Sequence, residues 1–217
     1  ATAFAYTPVN SLHAAWLPKP RGAVIGIANS GVGLGMLLSG ALVPALTASY
    51  ADRGWRIAWA LFALAALAAL VAGFFLLRNP AAAGPAGSYK VDRAKVFRNP
   101  HVITVGMLYG IVGITYIVQA IFLYSFALES GVPALTAGRL AAMTGILSIF
   151  SSPCWGWLSD RYGRALVLRI CVSMTMVGML IPVVSPTLAG FATHYLIMGI
   201  TLSGMFGAIL AASTETV

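Results

Sequence analysis

Long apolar stretches separated by short polar connections dominate this sequence. A helix needs about 20 mainly apolar residues to cross a bilayer, because each residue adds about 1.5 Å and the hydrocarbon is roughly 30 Å thick. Six stretches reach that length, and part of a seventh precedes them. The predicted spans are residues 23–47, 55–77, 102–128, 135–158, 165–184 and 188–212, after a partial span at residues 1–16.

The composition places these stretches in lipid. Hydrophobic residues make up 59% of the 217 positions and charged residues only 8%, whereas soluble domains carry about 25% charged residues. Too few polar side chains remain to cover a water-exposed surface of this size. The predicted fold is therefore an all-α membrane protein, a polytopic helical bundle surrounded by the lipid bilayer.

The basic residues are distributed unevenly between the two sides of the membrane. Counted by alternate connections, ten of the 13 lysines and arginines fall on one side and three, Arg53, Arg56 and Arg139, on the other. Because cytoplasmic connections carry the excess of positive charge, the ten-residue side is predicted to be cytoplasmic. The net charge of +8 does not indicate a nucleic-acid partner, since membrane-length apolar stretches separate the arginines.

One connection is long enough to divide two bundles. Residues 79–100 begin with Ala, Gly, Pro and Ser and continue with several basic residues. Residues 1–78 are predicted as the end of an N-terminal bundle, 79–100 as a cytoplasmic linker and 101–217 as the start of a C-terminal bundle. The first residues lie inside an apolar stretch, so the chain is predicted to be the middle portion of a longer protein.

The sequence contains no recognisable set of catalytic residues. Five acidic residues form no carboxylate pair on one helix face, and Ser, His and acid do not converge. Cys154 and Cys171 lie inside apolar stretches without a CxxC pair, which favours neither a metal nor a disulfide. The sequence predicts a non-enzyme without cofactor or metal.

Residues 156–164 read Gly-Trp-Leu-Ser-Asp-Arg-Tyr-Gly-Arg and are predicted as a tight polar loop on the basic side. Gly156 permits close helix approach, Gly163 suits a turn with positive φ, and Arg161 and Arg164 suit anionic headgroups. Asp160 is an acid on an otherwise basic surface. The plainer interpretation is a connecting loop whose arginines only set the topology.

This segment resembles the GxxxDRxGR loop motif of the major facilitator superfamily, and residues 16–22 resemble the junction between its fourth and fifth spans. The resemblance implies a twelve-span fold of which the chain covers the end of span four through span ten, with the missing helices of the same protein as partners. It implies transport of a small solute by alternating access, with protons as a possible coupling ion. It further implies that Asp160 pairs with loop arginines and faces the helix start at Arg21-Gly22-Ala23, holding the cytoplasmic side shut in one state.

A glycine stripe follows the first full span. Small or slender residues recur every three or four positions, which predicts a flat face for close helix packing. They are Gly22, Gly26, Asn29, Gly33, Met36 and Gly40. Gly31 and Gly35 suggest a second packing face. Static packing and a sliding interface are both compatible with this pattern.

Polar stripes on three spans predict solute contacts, because the resemblance implies that these spans border a central cavity. They comprise Tyr6, Asn10 and His13 on the partial span, Tyr109, Tyr116 and Gln119 on the span at residues 102–128, and His194 and Thr201 on the last. Asn29 joins the predicted site, and Tyr116 with Gln119 is preferred. Interhelical hydrogen bonding is the alternative for each single residue.

The sequence thus predicts a multi-pass secondary transporter of a small solute in a bacterial-type inner membrane. A membrane scaffold without transport activity is the alternative.

Overall fold

The computed structural model describes residues 21–78 and 98–215, which form helices without strands. The helices are α1 (Arg21–Tyr50), α2 (Gly54–Leu76), α3 (Pro100–Glu129), α4 (Ala134–Tyr162), α5 (Arg164–Val184) and α6 (Leu188–Glu215). They coincide with the predicted full spans, and the predicted all-α membrane bundle is confirmed. The partial span at 1–16 and the linker as far as residue 97 lie outside the described residues, so the division into two bundles stays a prediction.

The apolar segments long enough to cross a membrane account for all of these helices. They are Gly22–Leu76, Val102–Glu129, Ala134–Tyr162, Arg164–Val184 and Leu188–Ala212. The first contains both α1 and α2, which a 3-10 turn at Ala51–Arg53 separates. Gly54 then lies directly against the backbone of Leu46 and Thr47, where a Cβ would collide. The chain therefore folds back sharply at this turn, as two separate spans require.

Helix α6 is the centre of the described bundle, because it contacts α1, α3, α4 and α5. Its inward side chains are fully buried at Phe191, His194, Met198 and Thr201. Helix α2, by contrast, contacts only α1 and the adjoining turn among the described elements, and Phe74 and Phe75 at its end are exposed. Such an apolar outer surface is suited to lipid or to further helices.

Helices α1 and α4 pack antiparallel along nearly their whole length through the predicted glycine stripe. At each contact a Cβ on the glycine would collide with backbone atoms of the other helix. The contacts are Gly22 with Gly156, Gly26 with Ser152, Gly33 with Gly145 and Gly40 with Ala142. The predicted close packing is confirmed for these four glycines. Gly31 and Gly35 do not form a second packing face within the described residues, since their Cβ positions have no atom within 4 Å.

The prediction of a loop at residues 156–164 is wrong. Helix α4 continues through Tyr162 and α5 starts at Arg164, so Gly163 alone separates them, with φ 92° and ψ 148°. The polar composition after Leu158 suggested a loop. A helix can nonetheless extend beyond the hydrocarbon when its polar side chains reach water or a neighbouring helix.

Candidate functional site

A carboxylate of α4 caps the first turn of α1. Asp160 Oδ1 accepts a hydrogen bond from the Gly22 N–H at 3.0 Å, and Oδ2 accepts one from the Ala23 N–H at 2.8 Å. The first N–H groups of a helix have no partner within it, and an anion is stabilised by the positive end of the helix dipole. Asp160 therefore satisfies two such groups on a helix 137 residues earlier in the chain.

Arg164 completes this cluster. Its Nη2 lies 2.6 Å from Asp160 Oδ1 in an ion pair, and its Nη1 donates to Ser159 Oγ at 2.8 Å. The side chains of Arg164 and Asp160 are 15% and 19% exposed, and Asp160 as a whole residue lies at the exposed end of α4. We call Gly22, Ala23, Asp160 and Arg164 the latch.

The remaining members of the predicted gating motif have different surroundings. Gly156 lies against the Gly22 backbone, where no side chain would fit, and thereby allows Asp160 to reach α1. The Arg161 guanidinium lies over the rings of Trp157 and Tyr162, 5.5 and 5.8 Å from their centroids. Arg161 thus stacks on aromatic rings of its own helix, whereas Arg164 pairs with the acid.

A cavity of about 510 Å³ lies between α1, α3 and α6. The described part of its wall is mainly apolar, and no Asp, Glu, Lys, Arg or His is among the described lining residues. The lining residues are Asn29, Val32, Met36, Tyr109, Gly113, Tyr116, Ile117, Leu202, Ser203 and Phe206. The structure therefore brings together three residues of the predicted solute site, Asn29, Tyr109 and Tyr116.

Three aromatic rings form one side of the cavity. Phe206 on α6 packs edge-to-face against Tyr116 at 5.3 Å and against Tyr109 at 6.2 Å, with interplanar angles of 82° and 84°. Phe206 and Ser203 were not among the predicted site residues. The spacing of Leu202, Ser203 and Phe206 marks a common face of α6, but the predictions followed the polar face that holds Thr201.

Gln119 lies one turn beyond Tyr116 and is held by His194. The His194 Nδ1 lies 2.7 Å from the Gly178 carbonyl oxygen, and its Nε2 lies 3.1 Å from Gln119 Nε2. Because a carbonyl only accepts, Nδ1 carries the proton and Nε2 accepts from the amide of Gln119 in a neutral imidazole. Gln119 Oε1 is buried and has no partner among the described residues.

His194 and Thr201 lie between α5 and α6 and are not among the residues lining the cavity. Thr201 Oγ1 donates to the Ile197 carbonyl at 2.9 Å and lies 3.2 Å from Thr175 Oγ1. Both side chains thus form hydrogen bonds between helices, which was the alternative to solute contact. Tyr6, Asn10 and His13 lie outside the described residues. Within residues 21–78 and 98–215, no cluster of three or more His, Cys, Asp or Glu side chains could hold a metal ion.

Comparisons with known proteins agree on one family. The family model described as Major Facilitator Superfamily matches residues 1–217. Among curated proteins, the MFS transporter asaE of Aspergillus flavus is 26% identical over 198 residues, which cover 87% of this chain and 44% of that protein. The chain thus spans less than half the length of this curated relative. No solved structure matches the chain significantly.

Proposed function

Because the chain belongs to the major facilitator superfamily, we propose that it acts in a secondary active transporter that moves a small solute by alternating access. The observation that carries this proposal is the latch. It joins α4, in the predicted C-terminal bundle, to the first turn of α1, in the predicted N-terminal bundle. Contacts of this kind would close the basic side of the molecule while they persist.

The free energy of the latch contacts is comparable to the free-energy difference between two conformations of a switching protein. Hydrogen bonds to a charged group contribute about 1.5–3 kcal/mol each, and two conformations of a switching protein typically differ by a few kcal/mol. Losing the Asp160 contacts would therefore change which conformation is populated. Separating α1 from α4 at this end would part the backbone contacts of Gly22 with Gly156 and of Gly26 with Ser152 and would break the hydrogen bond from Ser152 Oγ to the Gly26 carbonyl oxygen.

The proposed solute site is the cavity between α1, α3 and α6, extended by Gln119. The hydroxyls of Tyr109 and Tyr116 and the amide of Asn29 would contact the solute. Gln119 Oε1 would accept from a solute donor, because a buried acceptor without a partner costs about 1–3 kcal/mol. Protons are the proposed coupling ion. His194 is not their proposed carrier, since both ring nitrogens have partners in the neutral form.

The protein is a multi-pass integral membrane protein. The sequence predicted a bacterial inner membrane; that location stays a prediction, and the curated relative is fungal. The proposed orientation places the latch at the cytoplasmic face, because the excess of basic residues falls on that side.

Replacing Asp160 in the full-length protein tests the proposal. Asp160→Asn removes the charge and the ion pair with Arg164 but retains a side chain of equal size. We expect solute uptake into proteoliposomes to fall about tenfold, the equivalent of about 1.4 kcal/mol. Spin labels at Leu77→Cys and Tyr162→Cys, both exposed at the basic end, should report longer distances once the latch is lost.

Glu129→Gln is the matched control, because it removes an exposed acid at the opposite end of α3 and should leave uptake unchanged. Normal uptake by Asp160→Asn with unaltered distances would contradict the latch. If the wild-type protein moved no solute from a broad library, with or without a proton gradient, the scaffold alternative would replace the transporter proposal.

A further inference from the structure

We infer that the solute of this cavity is an uncharged, mainly apolar molecule with a planar aromatic ring. The inference rests on the proposed function, because it names the substrate class of the same site. It is carried by the cavity wall, whose shape, chemistry and size each restrict what can be bound.

The aromatic rings provide the first restriction. Phe206 stands nearly perpendicular to both Tyr109 and Tyr116, so the three rings present edges and faces at right angles along one wall. A planar aromatic solute can pack edge-to-face or offset-stacked against such a wall, which is the arrangement that ring quadrupoles favour. A saturated solute of the same volume gains the apolar contact but not this additional attraction.

None of the lining residues that the structure describes is acidic or basic, which provides the second restriction. The polar groups of the cavity wall are the amide of Asn29, the hydroxyl of Ser203 and the two tyrosine hydroxyls. An anion would lose its hydration without gaining a cationic partner from this wall. A cation could gain from the ring faces, but it would also lack a carboxylate, so the neutral form is favoured.

The volume of the cavity and the polarity of its described wall together disfavour a strongly hydroxylated solute. The cavity of about 510 Å³ falls within the roughly 300–1,000 Å³ typical of small-molecule sites. A sugar of this size needs hydrogen-bond partners around its whole rim, whereas Val32, Met36, Ile117 and Leu202 occupy much of the wall. A molecule with one aromatic system and one or two hydrogen-bonding groups matches a wall that is mostly apolar with a few polar groups.

A matched set of probes tests the inference with the purified full-length protein. The probes are 2-naphthylmethanol, the 2-naphthylmethylammonium cation, 2-naphthoate and methyl glucoside. Saturable binding in lipid nanodiscs and uptake into proteoliposomes are measured for each. We expect 2-naphthylmethanol to bind about tenfold more tightly than either charged analogue, and methyl glucoside to show no saturable binding.

Two pairs of variants assign the binding to the aromatic wall. Phe206→Leu should weaken 2-naphthylmethanol binding about tenfold, whereas Phe122→Leu removes a ring that is exposed on the outer face of α3 and should have no effect. Tyr116→Leu and Tyr116→Phe form an independent pair: the first removes the ring and should weaken binding, while the second retains the ring and should preserve most of it. The Tyr116 pair keeps the test decisive if Phe206→Leu does not fold.

The outcomes separate this inference from the proposed function. Uptake of methyl glucoside or of a charged analogue, unaffected by Phe206→Leu and Tyr116→Leu, would overturn the aromatic class and leave alternating access standing. Saturable binding of 2-naphthylmethanol that requires both rings, without uptake of any probe, would support the aromatic class and count against transport. Failure of all four probes to bind would overturn the inference.

Discussion

The side-chain amide of Gln119 makes one hydrogen bond through its nitrogen, and its oxygen could accept another. Its amide nitrogen contacts His194, which is fixed in turn by the Gly178 carbonyl, and its Oε1 is buried. We expect Gln119→Ala to raise the half-saturation concentration of the transported solute about two- to tenfold, because a net hydrogen bond contributes about 0.5–1.5 kcal/mol. Initial uptake rates over a range of solute concentrations provide the measurement.

The neighbouring Val118 supplies the control for that measurement. Its side chain is 53% exposed and has no hydrogen-bonding group, so Val118→Ala should leave the half-saturation concentration unchanged. If Gln119→Ala altered only the maximal rate, its effect would come from loosening the α3 contact with α6 rather than from a lost solute contact.

At the scale of the element, two glycines of α1 two residues apart have opposite surroundings. A Cβ on Gly33 would lie 2.7 Å from the Gly145 carbonyl oxygen and 2.8 Å from the Ile149 nitrogen, whereas a Cβ on Gly35 would meet nothing within 4 Å. We expect Gly33→Ala to lower the thermal unfolding midpoint, since overpacking costs about 1–3 kcal/mol. Gly35→Ala should raise it slightly, because alanine favours a helix over glycine by about 0.5–1 kcal/mol.

Both variants are made in the full-length protein and compared in the same detergent. An equal effect of the two would show that helix propensity, not contact with α4, controls the response. A strong destabilisation by Gly35→Ala would reveal a further helix packed on that face. Destabilisation confined to Gly33→Ala would establish the α1 and α4 contact as a tight interface in solution.

The helices and the glycine interface were predictable because length and spacing encode them directly. Apolar stretches have to be long enough to cross a bilayer, and a stripe of glycines has to face another backbone. The partner of a stripe is not encoded in the stripe itself. Phe206 was not predicted because the sequence does not encode what an aromatic residue on a membrane helix faces. Such a residue can face lipid, a neighbouring helix or a cavity.

The end of α4 was predicted wrongly for a different reason. Polarity marked the segment from Gly156 to Arg164 as a loop, but Gly163 alone interrupts the helices. The continued helix aims Asp160 at the first turn of α1. The family resemblance predicted that Asp160 faces the helix start at Arg21-Gly22-Ala23, whereas only the fold showed that the end of a helix, and not a loop, carries the acid to its two N–H partners.

At the scale of the whole molecule, the latch, the cavity and Gln119 follow one another across the membrane. Tyr109 lies nine residues after the start of α3 at Pro100 and Gln119 lies nineteen, which corresponds to about 14 and 29 Å along the helix. The latch lies at the same end as Pro100, because the short connection between Glu129 and Ala134 joins the end of α3 to the start of α4, and the last turn of α4 carries Asp160. A solute released at the basic side would therefore pass Gln119 first, then the aromatic wall, and would require the latch to open.

Whether a solute following this path leaves or enters the cytoplasm at the latch depends on which side of the membrane the basic end faces. Cysteine labelling tests that orientation. In a Cys154→Ser background of the full-length protein, Glu129→Cys at the far end of α3 should react with a membrane-impermeant maleimide in intact cells. Tyr162→Cys, which is 58% exposed beside the latch, should react only after the membrane is permeabilised. The reverse pattern would contradict the orientation drawn from the excess of basic residues and would place the latch at the outer face. Opening the latch would then admit solute from outside, so the same contacts would control the opposite step of the cycle.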